Sequence, residues 1–280
     1  MHLERASFDV PGAAARPSVT AFRMPEVGFR DEVTFGDAAA ELVVHLADPC
    51  RFATDRLRAH VGRVYVLGPR AAPFRVRTGR SLAVVSVRMA GPDLARLLGV
   101  PLGRLVGRVL PLGDACPALA RDVEGRIDGE LASSARALSA WVARRLATSP
   151  EADPRAVEAI RAVGRWGGRA SVERVARAGD VHPRTLERLF ARWVGPSPKV
   201  AASIVRARSA LRALLAGAEA PSGIAVESGY ADQAHMIRDI GRFMGASPRR
   251  VLARPRWGLL SVAPAEALSA LARAAAPSPA

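Results

Sequence analysis

The sequence predicts an α+β chain of several domains, with a small sheet or barrel first, a helical linker next and an all-α domain last. Three observations carry that expectation. Short β-prone runs separated by Pro and Gly fill the chain up to about Asp114, Ala/Leu/Arg texture with helical spacing takes over from Asp128, and a two-helix unit occurs twice after Ala170. The expected boundaries are 1–127 for the β-rich part, 128–168 for the linker, 169–258 for the doubled helical unit and 259–280 for an Ala/Pro-rich tail.

In the first part the β-prone runs are 41–46, 63–67 and 81–88, each bounded by turn residues. Pro92 near its start and Gly99 at its end predict one short helix over 91–99. In the linker, Leu131, Leu138, Trp141, Val142 and Leu146 return to one helix face every three or four residues. The segment 149–154 breaks that helix, and Asp153 before Pro154 supplies a cap and a first-turn residue for the next, which stops at Gly167 and Gly168. Ser197–Pro198, Ser247–Pro248 and, less strongly, His182–Pro183 mark three further helix starts.

Composition narrows the partners. The 280 residues carry 41 Lys+Arg against 26 Asp+Glu, a formal net charge of +15, and 49% of them are hydrophobic, so the chain folds and is strongly basic. Nucleic acid and an acidic membrane surface are the polyanions that suit it. Lys199 is the only lysine, an arginine bias that a GC-rich coding sequence explains without any site. Basic charge is nevertheless concentrated: residues 169–256 hold 16 Lys+Arg and 7 Asp+Glu, a net +9 of the +15. Cys50 and Cys116 are too few for a disulfide framework or a thiolate zinc site. With neither a leader pattern at Met1 to Arg16 nor a run of about 20 apolar residues, a cytoplasmic protein away from the membrane is expected.

The residues 171–195 read as two helices about a tight turn. Val172, Val175 and Ala176 form the inner face of the first, Gly179 and Asp180 the turn, and Val181 the plug at the corner. Leu186, Leu189, Phe190 and Trp193 fall at i, i+3, i+4 and i+7, the buried stripe of the second helix. Arg184, Thr185, Glu187, Arg188 and Arg192 then face outward. Such a helix, basic outside and preceded by a shorter one, has the shape that enters a DNA major groove. Residues 224–248 repeat the pattern, with Gly229 at the turn, Asp232 at the cap and Met236, Ile240 and Phe243 as the stripe. Ala234, His235, Ile237, Arg238 and Arg242 are left toward solvent, and 200–215 forms a helix whose Ile204, Ala207, Leu211 and Leu214 bridge the units.

The stretch from Gly229 to Arg238, with Phe243-Met-Gly-Ala-Ser-Pro248, resembles the signature of AraC/XylS-type transcriptional regulators and their paired helix-turn-helix domain. The resemblance covers about 90 residues, Ala170 to Trp257. The segments 68–73 and 97–101 are similar to the sheet-rich, cupin-like sensor half of one AraC subgroup. Two departures stand out: Ile240-Gly241 replaces an aromatic and a basic residue, and His182 replaces a Ser or Asn cap. The resemblance implies a non-enzymatic, cofactor-free, sequence-specific regulator. Its partners would be double-stranded DNA, a small-molecule effector in the N-terminal half and RNA polymerase, with a monomer or homodimer as the acting form. Arg184, Arg188 and Arg238 are the expected base contacts, because a guanidinium grips O6 and N7 of guanine together. Thr185, Glu187, Ala234 and His235 take further reading positions, with Arg192 and Arg242 completing the interface. Two such helices on one chain enter successive major-groove segments about 34 Å apart, so a monomer can bind a non-palindromic site.

The rival class is a cupin-like barrel enzyme or small-molecule-binding protein with a degenerate helical domain. His45 and His60 form no compact ligand cluster with each other or with carboxylates, so neither a metal nor a catalytic residue is assigned. His45 in an apolar strand reads as a hydrogen-bonded core or pocket residue and Cys50 as a small apolar one. Residues 164–168 lack the preceding strand and following Lys-Ser/Thr of a phosphate loop. A pure interaction scaffold explains the helices but not their duplication.

Overall fold

The computed structural model describes residues 4–9, 18–24, 31–54, 57–60, 62–217 and 220–253. The expected tail of 259–280 lies outside them. Among the described residues the N-terminal part contains ten strands, all paired antiparallel. These are β1 (Glu4–Asp9), β2 (Ser18–Met24), β3 (Asp31–Thr34), β4 (Ala40–His45), β5 (Arg51–Thr54), β6 (Leu57–His60), β7 (Val64–Leu67), β8 (Phe74–Arg77), β9 (Leu82–Met89) and β10 (Val109–Pro111). They form a six-stranded sheet ordered β1-β2-β9-β4-β7-β10 and a four-stranded sheet ordered β3-β8-β5-β6.

The three β-prone runs became β4, β7 and β9, neighbours near the centre of the larger sheet, with Leu42 opposite both Val87 and Val66. Their sequences read as continuous apolar runs because both faces of that sheet are covered. Alternate residues of a strand point to opposite faces. Accordingly Leu42, Val44, Val66, Val85 and Val87 face a helical layer, whereas Val43, Tyr65, Leu67 and Val84 meet Phe52, Phe74 and Val76 of the smaller sheet.

The helical layer on the larger sheet contains α1 (Gly91–Leu98), α2 (Leu112–Ala115), α3 (Pro117–Glu124) and α4 (Leu131–Thr148). Helix α1 ends as expected at Gly99, whose φ of 69° only glycine adopts readily. Helix α4 lays Leu131, Ala135, Leu138, Trp141, Val142 and Leu146 onto this first core. Trp141 is 1% exposed and donates its indole N–H to Asp122, so it is a packing residue with its polar atom satisfied. The helix expected as a linker is therefore bound to the sheet along its length.

After the break, α5 (Pro154–Arg165) opens a second body. Asp153 accepts the backbone N–H of Arg155, the cap its position before Pro154 predicts. Ala159 and Val163 of α5 join a core formed with α6 (Val172–Ala178), α7 (Pro183–Trp193) and the first turn of α8 (Pro198–Ala216). The rest of α8 packs with α9 (Pro221–Glu227), α10 (Gln233–Met244) and α11 (Pro248–Ala253). Thus α8 spans both helical cores, with Ala201 and Ala202 in one and Ile204, Ala207 and Leu211 in the other.

Candidate nucleic-acid interface

Helix pairs α6–α7 and α9–α10 are the same device twice. In the first, the turn expected at Gly179 and Asp180 has Asp180 (φ 50°) as its left-handed residue, while Gly179 beside it has ordinary φ. In the second it is Gly229 (φ 74°). Val181 N–H then bonds the Ala176 carbonyl at 3.0 Å, and Tyr230 N–H bonds that of Ala225 at 2.9 Å, closing each turn alike. His182 Nδ1 accepts the N–H of Arg184 at 3.2 Å, so imidazole replaces the usual hydroxyl or amide as the cap of α7. The Asp232 carboxylate accepts the N–H of His235 at 2.6 Å to cap α10. Gly195 (φ 101°) and Gly245 (φ 78°) end the two helices. The two caps, His182 and Asp232, and the two terminal glycines, Gly195 and Gly245, are each 50 residues apart.

Each longer helix buries one seam. Leu186, Leu189 and Phe190 are buried in α7 and Met236, Ile240 and Phe243 in α10. Trp193, expected in the stripe, is only half-buried, and Val194 takes the buried place at that end. Opposite the seams, Arg184, Glu187, Arg188 and Arg192 are exposed on α7, and Ala234, Ile237, Arg238 and Arg242 on α10. Thr185 and His235 are half-buried, His235 because its ring stands edge-on to Tyr230 at 5.1 Å. The Arg192 and Arg242 guanidiniums lie over the rings of Trp193 and Phe243, at 5.1 and 5.2 Å. No side-chain partner holds Arg184, Arg188 or Arg238 among the described residues. These three guanidiniums are therefore uncommitted within the described structure.

Sequence reasoning missed the junction between the two bodies. Asp37, in the loop between β3 and β4, is 1% exposed and accepts two bonds from Arg88 at 2.8 and 2.9 Å and an ion pair from Arg208 of α8 at 3.3 Å. Burial pushes the Asp37 carboxyl up, but the charges of Arg208 and Arg88 outweigh it and hold it well below the usual carboxylate range. Burial pulls Arg208 down to about 10, and Asp37 draws it back toward its charged form. Arg208 also donates to the Gly36 carbonyl at 3.2 Å, Gly36 N–H bonds the Phe243 carbonyl of α10 at 2.7 Å, and Phe35 is fully buried in the core of the second unit. One signal was present: Ile204, Arg208 and Leu211 share a helix face, so a lone charge stood in an apolar seam and required a buried partner.

The first unit touches the sheet domain too. A Cβ added at Gly91, at the start of α1, would lie 2.1 Å from the Trp193 carbonyl oxygen. One at Gly103 would lie 2.7 Å from that of Ala191, and one at Gly195 would lie 2.7 Å from the side chain of Val106. Both long helices are thus seated by their C-terminal ends against the N-terminal domain.

Inside that domain His45 is 2% exposed with Nε2 3.1 Å from the Tyr65 hydroxyl, and burial lowers its pKa to about 4. Burial raises the Cys50 thiol to about 12, which leaves it unreactive at neutral pH. Among the described residues no three or more His, Cys, Asp and Glu are grouped so as to hold a metal ion. Nor is any described helix long and apolar enough to cross a membrane.

A family model described as a helix-turn-helix domain matches residues 175–254, which span α7 to α11 and most of α6. The resemblance of this segment to helix-turn-helix regulators therefore stands. No curated protein matches the chain. Among solved structures, ToxT from Vibrio cholerae with bound unsaturated fatty acid is 12% identical at a TM-score of 0.49, over 90% of this chain and 97% of that one. An AraC-type transcriptional regulator from Chromobacterium violaceum is 23% identical at 0.34, over 36% of this chain and 90% of its own. The AraC-like activator CuxR is 15% identical at 0.30, over 67% and 73%. Likeness at this level adds nothing to the strands and helices already described.

Proposed function

We propose that this chain, whose residues 175–254 carry a helix-turn-helix domain, is a sequence-specific DNA-binding transcriptional regulator of the AraC/XylS type, governed by its N-terminal sheet domain. The observation that carries the reading is the duplication. Two helices of matching caps, seams and ends each expose a basic face, and a single α8 is packed into both units. One helix-turn-helix with arginines outside occurs in many helical proteins; two held by one stiff helix suit successive major-groove segments. Phosphate neutralisation by the basic face supplies affinity that falls with salt, and base edges supply sequence preference. In this reading Arg184, Arg188 and Arg238 contact bases, Thr185, Glu187, Ala234 and His235 take neighbouring reading positions, and Arg192 and Arg242 complete the interface.

Control by the N-terminal domain is supported by its contacts with the C-terminal ends of both α7 and α10. A change within the two sheets would be felt at both reading helices. The apolar core between the sheets, in which Phe22, Val43, Phe52, Tyr65, Phe74 and Val76 are buried together, is where a small effector would act. Contact with RNA polymerase, and action as a monomer or homodimer, belong to the same proposal.

The test is selection of bound fragments from the source genome by the full-length protein at near-physiological salt, with the Arg184→Ala/Arg238→Ala double variant as control. A recurrent asymmetric site with two elements about one helical turn apart, lost in the variant, is the expected result. Binding that is absent, or blind to sequence, overturns it.

A further inference from the structure

From the caps to the terminal glycines the two units are spaced by 50 residues, so the outer faces of α7 and α10 can be compared position by position. Arg188 corresponds to Arg238 and Arg192 to Arg242, so both helices keep the same two cations. At the other outward positions they part: Arg184 corresponds to Ala234, Glu187 to Ile237 and Ala191 to Gly241. Ala234, Ile237, Arg238 and Gly241 fall at i, i+3, i+4 and i+7 and so lie on one face of α10. Ile237 is 37% exposed, one of three exposed large hydrophobic side chains among the described residues. A single exposed isoleucine needs no explanation on an ordinary surface. Here it stands at the flank of the buried seam, on the side shared with Ala234 and Gly241, with a small residue one turn to either side of it and the uncommitted Arg238 guanidinium next to it.

Gly241 supplies a second observation. A glycine inside a helix is destabilising relative to alanine. A Cβ at this position would meet nothing within 4 Å, so no packing inside the chain demands the glycine. The cost is explained if another molecule approaches this face closely.

Resting on the proposed DNA-binding function, we infer that Ile237 is a specificity-determining residue that packs against the C5-methyl group of thymine in the major groove under α10. Thymine is the base that presents an apolar group there, whereas the position-matched Glu187 on α7 can accept a hydrogen bond from the cytosine amino group. The two halves of the operator therefore differ in chemistry. Thymine is demanded beneath α10 next to the base gripped by Arg238, and no methyl is demanded beneath α7 at the matching place. The asymmetry comes from Ile237 and Glu187 occupying one structural position in two copies of a single unit.

The experiment begins with a duplex selected from a random pool by the full-length protein, in which each thymine of the α10 half is then replaced singly by deoxyuridine. This removes one methyl group and leaves every hydrogen-bonding edge unchanged. At one thymine the loss of affinity is expected to be about three- to fivefold, the size set by burial of one methyl group. The Ile237→Ala protein, compared by thermal unfolding to show that its fold is kept, should lose a similar factor on the thymine duplex. It should be indifferent to deoxyuridine at the same position. Equal sensitivity to deoxyuridine in the wild type and the variant overturns the inference, as does a wild type that tolerates deoxyuridine at every thymine while still choosing its site. A wild type that selects no site at all overturns the DNA-binding proposal beneath it.

Discussion

Arg184 and Arg238 project from helices whose opposite seams are fully packed, so removing either guanidinium should leave the fold alone. On the proposed interface each alanine variant loses about 1–3 kcal/mol of binding to the selected site and relaxes preference at one base position. Site selection with each single variant checks this; an unchanged preference at every position removes these residues from base reading. His45 makes a different prediction, about stability. Its pKa is about 4 in the folded chain, below the 6.5 of a free side chain, because burial penalises the imidazolium. As pH falls the unfolded chain takes up the proton first. The contribution of neutral His45 is therefore complete above pH 6.5 and is lost on the way down to about pH 4, on the order of 3 kcal/mol in all. Denaturant unfolding between those limits should show this slope, and His45→Gln should flatten it. The part of each site that was legible in the sequence is local in origin. A seam at 3.6-residue spacing defines an outer face, and so the exposure of Arg184 and Arg238 was legible, whereas nothing near Asp37 in the chain points to Arg208, its partner on α8.

At the scale of elements, the helices were legible because their ends are chemical events. Gly99, Asp153 before Pro154, Ser197 before Pro198 and Asp232 each do in the structure what their residue type predicts. The four-stranded sheet was not legible, for a physical reason. Its strands are four residues each, and Phe74 to Arg77 alternates buried and exposed over too short a run to stand out from a loop. The partner of α4 was hidden in another way: its apolar stripe shows that one face is buried without showing that the sheet covers it. Gly241 tests how much of a helix is reserved for function. With nothing near the position of its missing Cβ, Gly241→Ala should stabilise the helical domain by about 1 kcal/mol, visible as a raised midpoint in denaturant unfolding. A loss of stability would mean that α10 needs the glycine for its own conformation.

For the whole molecule the decisive feature is that the sheet domain is wedged against both helix-turn-helix units instead of hanging from them by a linker. On one side the buried Asp37 carboxylate ties Arg88 of β9 to Arg208 of α8, and Phe35 fills the core of the second unit. On the other, the backbone at Gly91 lies so close to the end of α7 that no side chain fits between them. A domain placed in this way constrains the directions of α7 and α10, and on the proposed function relaxing either contact should change how the pair fits a groove. Gly91→Ala isolates that effect. The added methyl would sit 2.1 Å from the Trp193 carbonyl oxygen, against backbone that no rotamer change can move aside. It must displace α7 relative to the sheet while leaving Arg184, Glu187, Arg188 and Arg192 chemically intact. The expected outcome is altered affinity for the two-element site with affinity for the isolated α10 half unchanged, measured on duplexes carrying both elements or that half alone. If Gly91→Ala leaves both affinities at the wild-type value while its two domains are shown by proteolysis to remain folded, the sheet domain does not govern the first reading helix through this contact, and control must run through Asp37 and α8.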